Sequence, residues 1–560
     1  MGRSPTRPRH RTTLAALACA VVAGLVAGLL VGTVVGTGPG AAVALAAPAA
    51  PGPVERADDL RAALLPAARA TRAQLRAQRL QAASPSPDST GAKEVSSPDP
   101  LALVAVTWTG AAPDTVSLRS RHGSAWGPWT PVDPVDTERD GVASRGTEPV
   151  WVADSRAVQV RAVEAGVPVT DRVGVTSIDP GTSSNDEPIA RAATTASGAV
   201  GSPASPRVVT RAQWGADESM MTWPPEYTPT VRAVTIHHTA GTNDYTAAQS
   251  AAIVRGIYSY HARTQGWGDI GYNALVDRFG TVFEGRRGGL DRAVVAAHAG
   301  GFNRETFGIG MMGDYTGVAP PGATLQSTAA LAAWKLGGLY RDPNGSVTLT
   351  SAGGGTSKYA RGRRVTVPVI FPHRQVGATA CPGNTGVASM PSLRSRVTAL
   401  IGDAAANPVR AAWLARPYLG EPAVVESPTA RGARVARFSS GGTVYWSAAT
   451  GAWSVYGAIN ARYDAFGAAG SVLGLPVTDE LGVGDGRGRY GRFGYGSIYW
   501  TPTTGAWPVF GAIGARYAAL GSPASAYGYP RSGEYAVPGG QRQDFERGSL
   551  TWNATTGAVT

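Results

Sequence analysis

The chain runs to 560 residues, 43% of them hydrophobic and 16% charged, which is more than one hydrophobic core holds and too apolar for wholesale disorder. Its 51 basic against 39 acidic residues leave a net charge of +12, almost all from Arg because Lys93, Lys335 and Lys358 are the only lysines; such a balance suits polyanions, and the compartment decides which. Two cysteines exclude a disulfide-stapled scaffold and any multi-cysteine zinc array.

In chain order, the basic segment MGRSPTRPRHRTT precedes an apolar run from Leu14 to Gly36 and then Ala44-x-Ala46. Charged start, apolar middle and small-residue cleavage site predict an export signal over 1–47. The run is also long enough to span a bilayer, so an uncleaved anchor is the competing expectation. Either way the body of the chain is expected to lie outside the cytoplasm, secreted if the signal is cleaved, with no nucleic acid partner and a membrane only through an uncleaved anchor. Cys19 lies within the apolar run, so Cys381 is the one cysteine of the exported body. A lone extracellular thiol is buried, paired between chains, or bound to metal.

Residues 48–100 predict a helical spacer and linker, with ERADDLRAALLPAARATRAQLRAQRLQA as a basic helix broken at Pro66 and a Ser/Pro-rich stretch after it. LALVAVTW, TVSLRSRH, WGPWTPV, PVWVA and AVQVRAV alternate apolar and polar residues between turn signals, predicting a small all-β sandwich over 101–180. There Trp108, Trp126, Trp129 and Trp151 either fill the core or form a sugar platform. Residues 181–206 predict a second flexible linker.

Over 207–402 the pattern becomes mixed. VRAVTIHH predicts a strand, and Thr246-x-x-Gln249 is a capping box opening a helix with Ile253, Ile257 and Tyr260 on one face. YNALVD and TVFEGR predict a hairpin turning at Arg278-Phe279-Gly280, FGIGMMG a buried strand, LQSTAALAAWKLGGLY a helix, and VTVPVIF a strand ending at His373. Pro391 fits a helix N-terminus, with Met390, Leu393, Val397 and Leu400 facing inward. The alternation predicts an α/β domain, a mixed sheet flanked by helices. Over 403–560 the sequence repeats: LGEP at 419–422, LGLP at 473–476 and YGYP at 527–530 lie 54 residues apart, each followed by Trp446, Trp500 or Trp552. Such a period predicts an array whose units stack to bury their cores. The whole is therefore multidomain.

Five of the seven histidines fall between 237 and 373. His237 and His238 end one predicted strand, His373 ends another, and Cys381 follows eight residues later. Two imidazoles and a thiolate converging from strand ends suit tetrahedral Zn²⁺ with a fourth position open; singly, each histidine would serve as well by packing a strand end.

Ordered segments run through this region: Arg211-Ala-Gln-Trp-Gly-Ala216, Val234-Thr-Ile-His-His-Thr-Ala240, Trp267-Gly-Asp-Ile-Gly-Tyr-Asn273, DRFGTVFEGR, Ala297-His-Ala-Gly-Gly-Phe-Asn303, Phe307-Gly-Ile-Gly-Met-Met-Gly-Asp314 and Pro372-His-Arg…Thr379-Ala-Cys-Pro-Gly383. Together they resemble the peptidoglycan recognition protein and type 2 N-acetylmuramoyl-L-alanine amidase family. The resemblance implies zinc ligands at His237, His373 and Cys381, with His238 orienting or packing. It implies catalytic roles for Tyr272 and Thr379, donating to the water or the developing oxyanion. Thr at position 379, where phage-type members carry Lys, is similar to the recognition-protein branch. The resemblance places His298 and Asn303 against the muramyl peptide. His261 is expected to pack or lie at the surface, Asp269 to form a loop, and no carboxylate stands out as general base.

The implied activity is hydrolysis of the amide between N-acetylmuramic acid and the L-alanine of the stem peptide, with peptidoglycan as substrate. Retention of Cys381, which members that only bind have typically lost, points to an enzyme. The repeats resemble LGFP repeats of envelope proteins, which implies tethering to wall polysaccharide. A non-catalytic peptidoglycan-binding receptor and a structural envelope protein are the alternatives.

Overall fold

The computed structural model describes residues 76–80, 88, 91–135, 146–191, 204–354 and 356–560. The signal or anchor expected over 1–47, and the basic helix as far as residue 75, lie outside the described residues. No helix among the described residues is long and apolar enough to cross a membrane.

The N-terminal region is an antiparallel sheet of β1 (Arg76–Leu80), β2 (Lys93–Trp108), β3 (Thr115–His122), β4 (Ala125–Trp126), β5 (Thr130–Pro131), β6 (Val150–Glu164), β7 (Val167–Pro168) and β8 (Val173–Asp179), in the order β1-β8-β2-β6-β3-β4. Arg76–Leu80 is a strand paired along β8, Arg76 opposite Asp179, not part of a helical spacer. An edge strand bonds through its backbone and tolerates Arg and Gln, so apolar alternation does not reveal it. Trp108 is buried, whereas Trp126 and Trp129 are half-buried under Arg119, 5.3 and 4.5 Å from their ring centroids.

Nor are residues 181–191 a flexible linker. They include α1 (Asp186–Arg191), and the buried Arg255 fastens the segment by an ion pair to Asp186 (2.8 Å) and bonds to the Pro180 and Gly181 carbonyls. Leu103, Ala105 and Ile178 of the sheet share one apolar cluster with Ile257, Tyr258 and Tyr272, so this sheet and the next region have a common core.

The central region holds β9 (Val208–Val209), α2 (Arg211–Trp214), β10 (Ala233–His238), α3 (Ala247–Ser259), β11 (Ala274–Val276), β12 (Val282–Glu284), β13 (Thr306–Met311), α4 (Gly322–Gly337), β14 (Ser346–Thr350), β15 (Arg364–Pro368), β16 (Ile370–Pro372), α5 (Asn384–Ala388) and α6 (Met390–Ile401). Its six-stranded sheet runs β16-β10-β13-β11-β12-β9, parallel except for the β11–β12 hairpin. Every residue of β10 and β13 is buried, as expected where helices cover both faces. Val234, Ile236, Phe307 and Ile309 face α4 and α6; α3 covers the other side. The Thr246 N–H donates to Gln249 Oε1 (2.8 Å), closing the expected cap.

Two details differ from expectation. The run VTVPVIF is two strands, β15 pairing only with β14 and β16 joining the main sheet, because Pro368 has no N–H to continue a ladder. In α6 Ile401 is buried and Leu400 exposed, since at about 100° per residue position 401 falls closer to Met390 and Val397.

After α7 (Pro408–Leu414) come three related sheets. They are β17 (Pro422–Pro428) to β20 (Gly451–Val455), β21 (Leu481–Gly482) to β24 (Gly505–Phe510), and β25 (Tyr535–Val537) to β27 (Gly548–Asn553), with α8 (Gly457–Ala465) and α9 (Gly511–Ala519) between them. Trp446, Trp500 and Trp552 are half-buried, one against the core of each unit. The first unit docks on the central region through Val425 and through the Tyr340 hydroxyl, which donates to Glu426 (2.9 Å).

Candidate active site

β10 and β16 lie side by side and parallel, with Ile236 opposite Pro372, so the next residues, His237 near the end of β10 and His373 just past β16, stand together at the C-terminal edge of the sheet. That edge is where open α/β sheets gather ligands. Strand alternation turns Ile236 into the core and His237 to the opposite face; the two imidazoles approach to 4.4 Å between centroids. The chain then turns back, with the Arg374 N–H bonded to the Cys381 carbonyl (2.9 Å). This brings Cys381 Sγ to 3.7 Å from His237 Nδ1, where it also accepts the His238 N–H at 3.3 Å. The ligand atoms of His237, His373 and Cys381 all lie within 4.8 Å of one another, and all three residues are buried.

A chain of hydrogen bonds fixes the tautomer of His237. The Thr306 hydroxyl donates to the Phe302 carbonyl, so its oxygen accepts from His298 Nε2 (3.2 Å). His298 Nδ1 is then an acceptor, and His237 Nε2, 3.0 Å away, carries the proton. The lone pair of His237 Nδ1 therefore faces Cys381, the orientation that hydrogen bonds to the other ring nitrogen give a ligating imidazole. Burial, then the charges of His373 and Arg286, drives His298 down to about 3. Burial likewise holds His237 well below its usual range, with His373, His298 and His238 adding to it. Both stay neutral near pH 7.

The alternating glycines of FGIGM make room for this face. A Cβ on Gly308 would stand 2.3 Å from the His298 ring, and one on Gly310 would stand 3.2 Å from the Tyr272 ring. His298 lines the same cavity as His237, His373, Cys381, Tyr272 and Thr379. Thr379 Oγ1 accepts the Cys381 N–H (3.1 Å), which leaves its own proton for another acceptor. Asn303 is not among the walls; its Oδ1 accepts the N–H groups of His298 and Ala299 (2.7 and 2.8 Å), so it positions His298.

His238 accepts the Tyr315 N–H at Nδ1 (3.2 Å) and faces Asp133 through Nε2 (3.4 Å). Asp269 is a loop-former, ion-paired with Arg211 at 2.9 Å and accepting the N–H groups of Ile270 and Arg287.

His261 takes the packing alternative expected for it, and two carboxylates that no expectation named join the cavity. His261 is fully buried beside the site, stacked on Trp267 (4.5 Å), with Nδ1 accepting the Gly271 N–H (3.1 Å) that shapes the loop before Tyr272. Asp133 and Glu148 come from the N-terminal sheet region, yet both line the cavity. No local pattern marks either carboxylate; only the fold brings them there.

The family described as N-acetylmuramoyl-L-alanine amidase matches residues 227–384. Peptidoglycan-recognition protein SC2 of Drosophila simulans is 32% identical over 176 residues, 31% of this chain and 80% of that protein. The chain belongs to the peptidoglycan-recognition protein and N-acetylmuramoyl-L-alanine amidase family. Another member, N-acetylmuramoyl-L-alanine amidase of Homo sapiens, is 33% identical over 27% of this chain and 22% of its own length. Among solved structures, wild-type Drosophila PGRP-LB is 27% identical, covering 33% of this chain and 93% of that one at a TM-score of 0.26. Outside the family domain, residues 64–198 match the Rv3811 N-terminal galactose-binding domain-like family, and 419–471, 473–525 and 528–560 match the LGFP repeat. Glu148 and Asp133 thus stand in the cleft of one family domain while belonging to another.

Proposed function

We propose that this chain is an exported, zinc-dependent N-acetylmuramoyl-L-alanine amidase that cleaves the amide between N-acetylmuramic acid and the L-alanine of the peptidoglycan stem, tethered to the wall by its LGFP repeats. The observation that carries the reading is the convergence of His237, His373 and Cys381 at one cavity. Tetrahedral zinc with bonds of about 2.0–2.3 Å holds its donors roughly 3.3–3.8 Å apart, and His237 Nδ1 and Cys381 Sγ stand 3.7 Å apart. Two imidazoles and a thiol that accepts a backbone N–H suit that ion. When bound, Zn²⁺ supplies a nucleophile of hydroxide strength near neutral pH.

The protein's own groups do the rest. His298 and Thr306 keep His237 in the tautomer that offers Nδ1, and Asn303 keeps His298 in place. Thr379 and Tyr272 present hydroxyls to the lactyl carbonyl oxygen as it gains charge, each such donor worth about 2–4 kcal/mol. Water oxygen bonds to the carbonyl carbon, the C–N bond breaks, and the alanine nitrogen leaves carrying one proton of that water. Charged start, apolar run and small-residue site before residue 48 support export. The three repeats support retention on an insoluble polymer, which raises the local substrate concentration.

The test is incubation of the purified chain with peptidoglycan, with and without chelator. New alanine amino termini are expected, lost on chelation and restored by Zn²⁺. Binding without release would make the chain a recognition protein instead.

A further inference from the structure

Residues 131–135 and 146–150 of the N-terminal domain pair with each other. Glu148 N–H bonds to the Asp133 carbonyl (3.0 Å) and Val135 N–H to the Gly146 carbonyl (2.9 Å), while Thr147 N–H bonds to Val106 of β2 (2.8 Å). From this base Asp133, Pro134 and Glu148 face the cavity that holds His237, His373 and Cys381. Glu148 is 8% exposed and both its oxygens are engaged. Oε1 accepts the Tyr272 hydroxyl (3.1 Å) and Oε2 lies 3.2 Å from His261 Nε2. Because His261 Nδ1 accepts the Gly271 N–H, its Nε2 carries the proton and donates to Glu148. Asp133 meets His238 on the other side (3.4 Å).

Two consequences follow. A hydroxyl has one proton, so while Tyr272 donates to Glu148 it donates nothing to a substrate carbonyl. The space left between these walls measures about 20 Å³, room for about one water. A substrate acyl group entering it competes with Glu148 for the Tyr272 hydroxyl.

We propose that the N-terminal domain closes the hydrolytic site, with Glu148 as a built-in competitor bound to Tyr272 where the acyl group of the substrate would bind. A carboxylate suits that place, since amide hydrolysis leaves a lactyl carboxylate there as product. The two domains share a core, so the competitor acts at high effective concentration, and substrate entry requires the Glu148 contacts to release. The inference rests on the proposed amidase reading of the cavity.

The test uses the full chain and a synthetic N-acetylmuramyl dipeptide. In metal-free protein, calorimetric titration should show Glu148→Ala binding at least about tenfold tighter than wild type. With Zn²⁺ added, kcat/KM should rise by a similar factor. Asp133→Ala opens the other wall and should move both readouts the same way. Glu148→Gln, which still accepts from Tyr272, keeps the buried hydroxyl satisfied and should give a smaller gain; melting curves check that each variant is folded. Unchanged or weaker binding in folded variants overturns the proposal, and so does a large fall in hydrolysis in Glu148→Gln, which would make Glu148 a working base. Tighter binding with no hydrolysis by any variant would leave the closure standing and sink the amidase reading. Hydrolysis by wild type without any gain in the variants would do the reverse.

Discussion

The central domain and the repeats both bury tyrosines with their hydroxyls inside, and they use them differently. Tyr272 gives its proton to a carboxylate from another domain at the wall of a cavity. Tyr463 and Tyr517 give theirs to the carbonyls of Gly474 and Gly528, each at 2.6 Å. Around them Trp453 and Trp507 donate to the Thr450 and Thr504 carbonyls, so the same contacts recur with the period of the sequence. None of the seven histidines lies in 403–560, whereas four buried ones meet near the mouth of β10: His237, His238, His298 and His373. Features that recur every 54 residues close a core. Features that occur once, far apart in the chain and meeting in space, make a site.

The largest test of that contrast removes one member of the convergent set. Cys381→Ala should abolish amide hydrolysis and weaken Zn²⁺ binding by more than about 100-fold, the upper end for loss of a mere supporting partner. The melting of a 54-residue unit should not move. Hydrolysis at the wild-type rate in this variant would break the distinction, because the thiol would then be only a packed side chain.

Acid separates the two regions next, with opposite signs. Burial lowers His298 from 6.5 to about 3. Between those values the unfolded chain binds the extra proton, so metal-free stability falls as pH drops through that window, by on the order of 4–5 kcal/mol at most for this residue. In the third repeat burial raises Glu534 from 4.5 to about 7. There the folded state holds the extra proton, so this contribution is present below pH 4.5 and is lost as pH rises through 7. Urea melts of the chelated chain at pH 7 and pH 4.5 should therefore show the central transition moving to lower urea in acid. The last repeat should hold or gain. Coincident shifts in both would show that the buried imidazoles do not set the acid response.

Much of this layout was legible because its signals are local. The capping box at Thr246, the hairpin turn at Gly280 and the 54-residue period each need only a short window. His237, His373 and Cys381 were reachable because the two histidines sit at strand ends and Cys381 follows His373 by eight residues, all in recognisable segments. Glu148 was not, because the contacts that give it meaning reach 124 residues to Tyr272 and 113 to His261. The glycines of FGIGM looked like ordinary buried-strand residues until the rings they accommodate were in place. Arg76–Leu80 was misread for the opposite reason: its composition suits a helix, but β8 offers it a free edge, and tertiary pairing overrides propensity.

The smallest effect asks whether periodic contacts are also equal in energy. Each hydroxyl of Tyr463 and Tyr517 satisfies one glycine carbonyl at the start of the following repeat, beside Phe493 (4.4 Å between centroids) and Phe545 (4.7 Å). Tyr→Phe at either position keeps the ring and deletes the bond, leaving a buried carbonyl unpaired, which costs about 1–3 kcal/mol. If repetition in sequence reflects repetition in energetics, Tyr463→Phe and Tyr517→Phe should destabilise their units by the same amount within about 0.5 kcal/mol. The double variant should then show the sum, since the two hydroxyls share no partner. Neither should change hydrolysis of a soluble muramyl peptide. A markedly larger loss at one of the two would show instead that the packing around each ring, rather than the repeated hydrogen bond, carries the stability of the array.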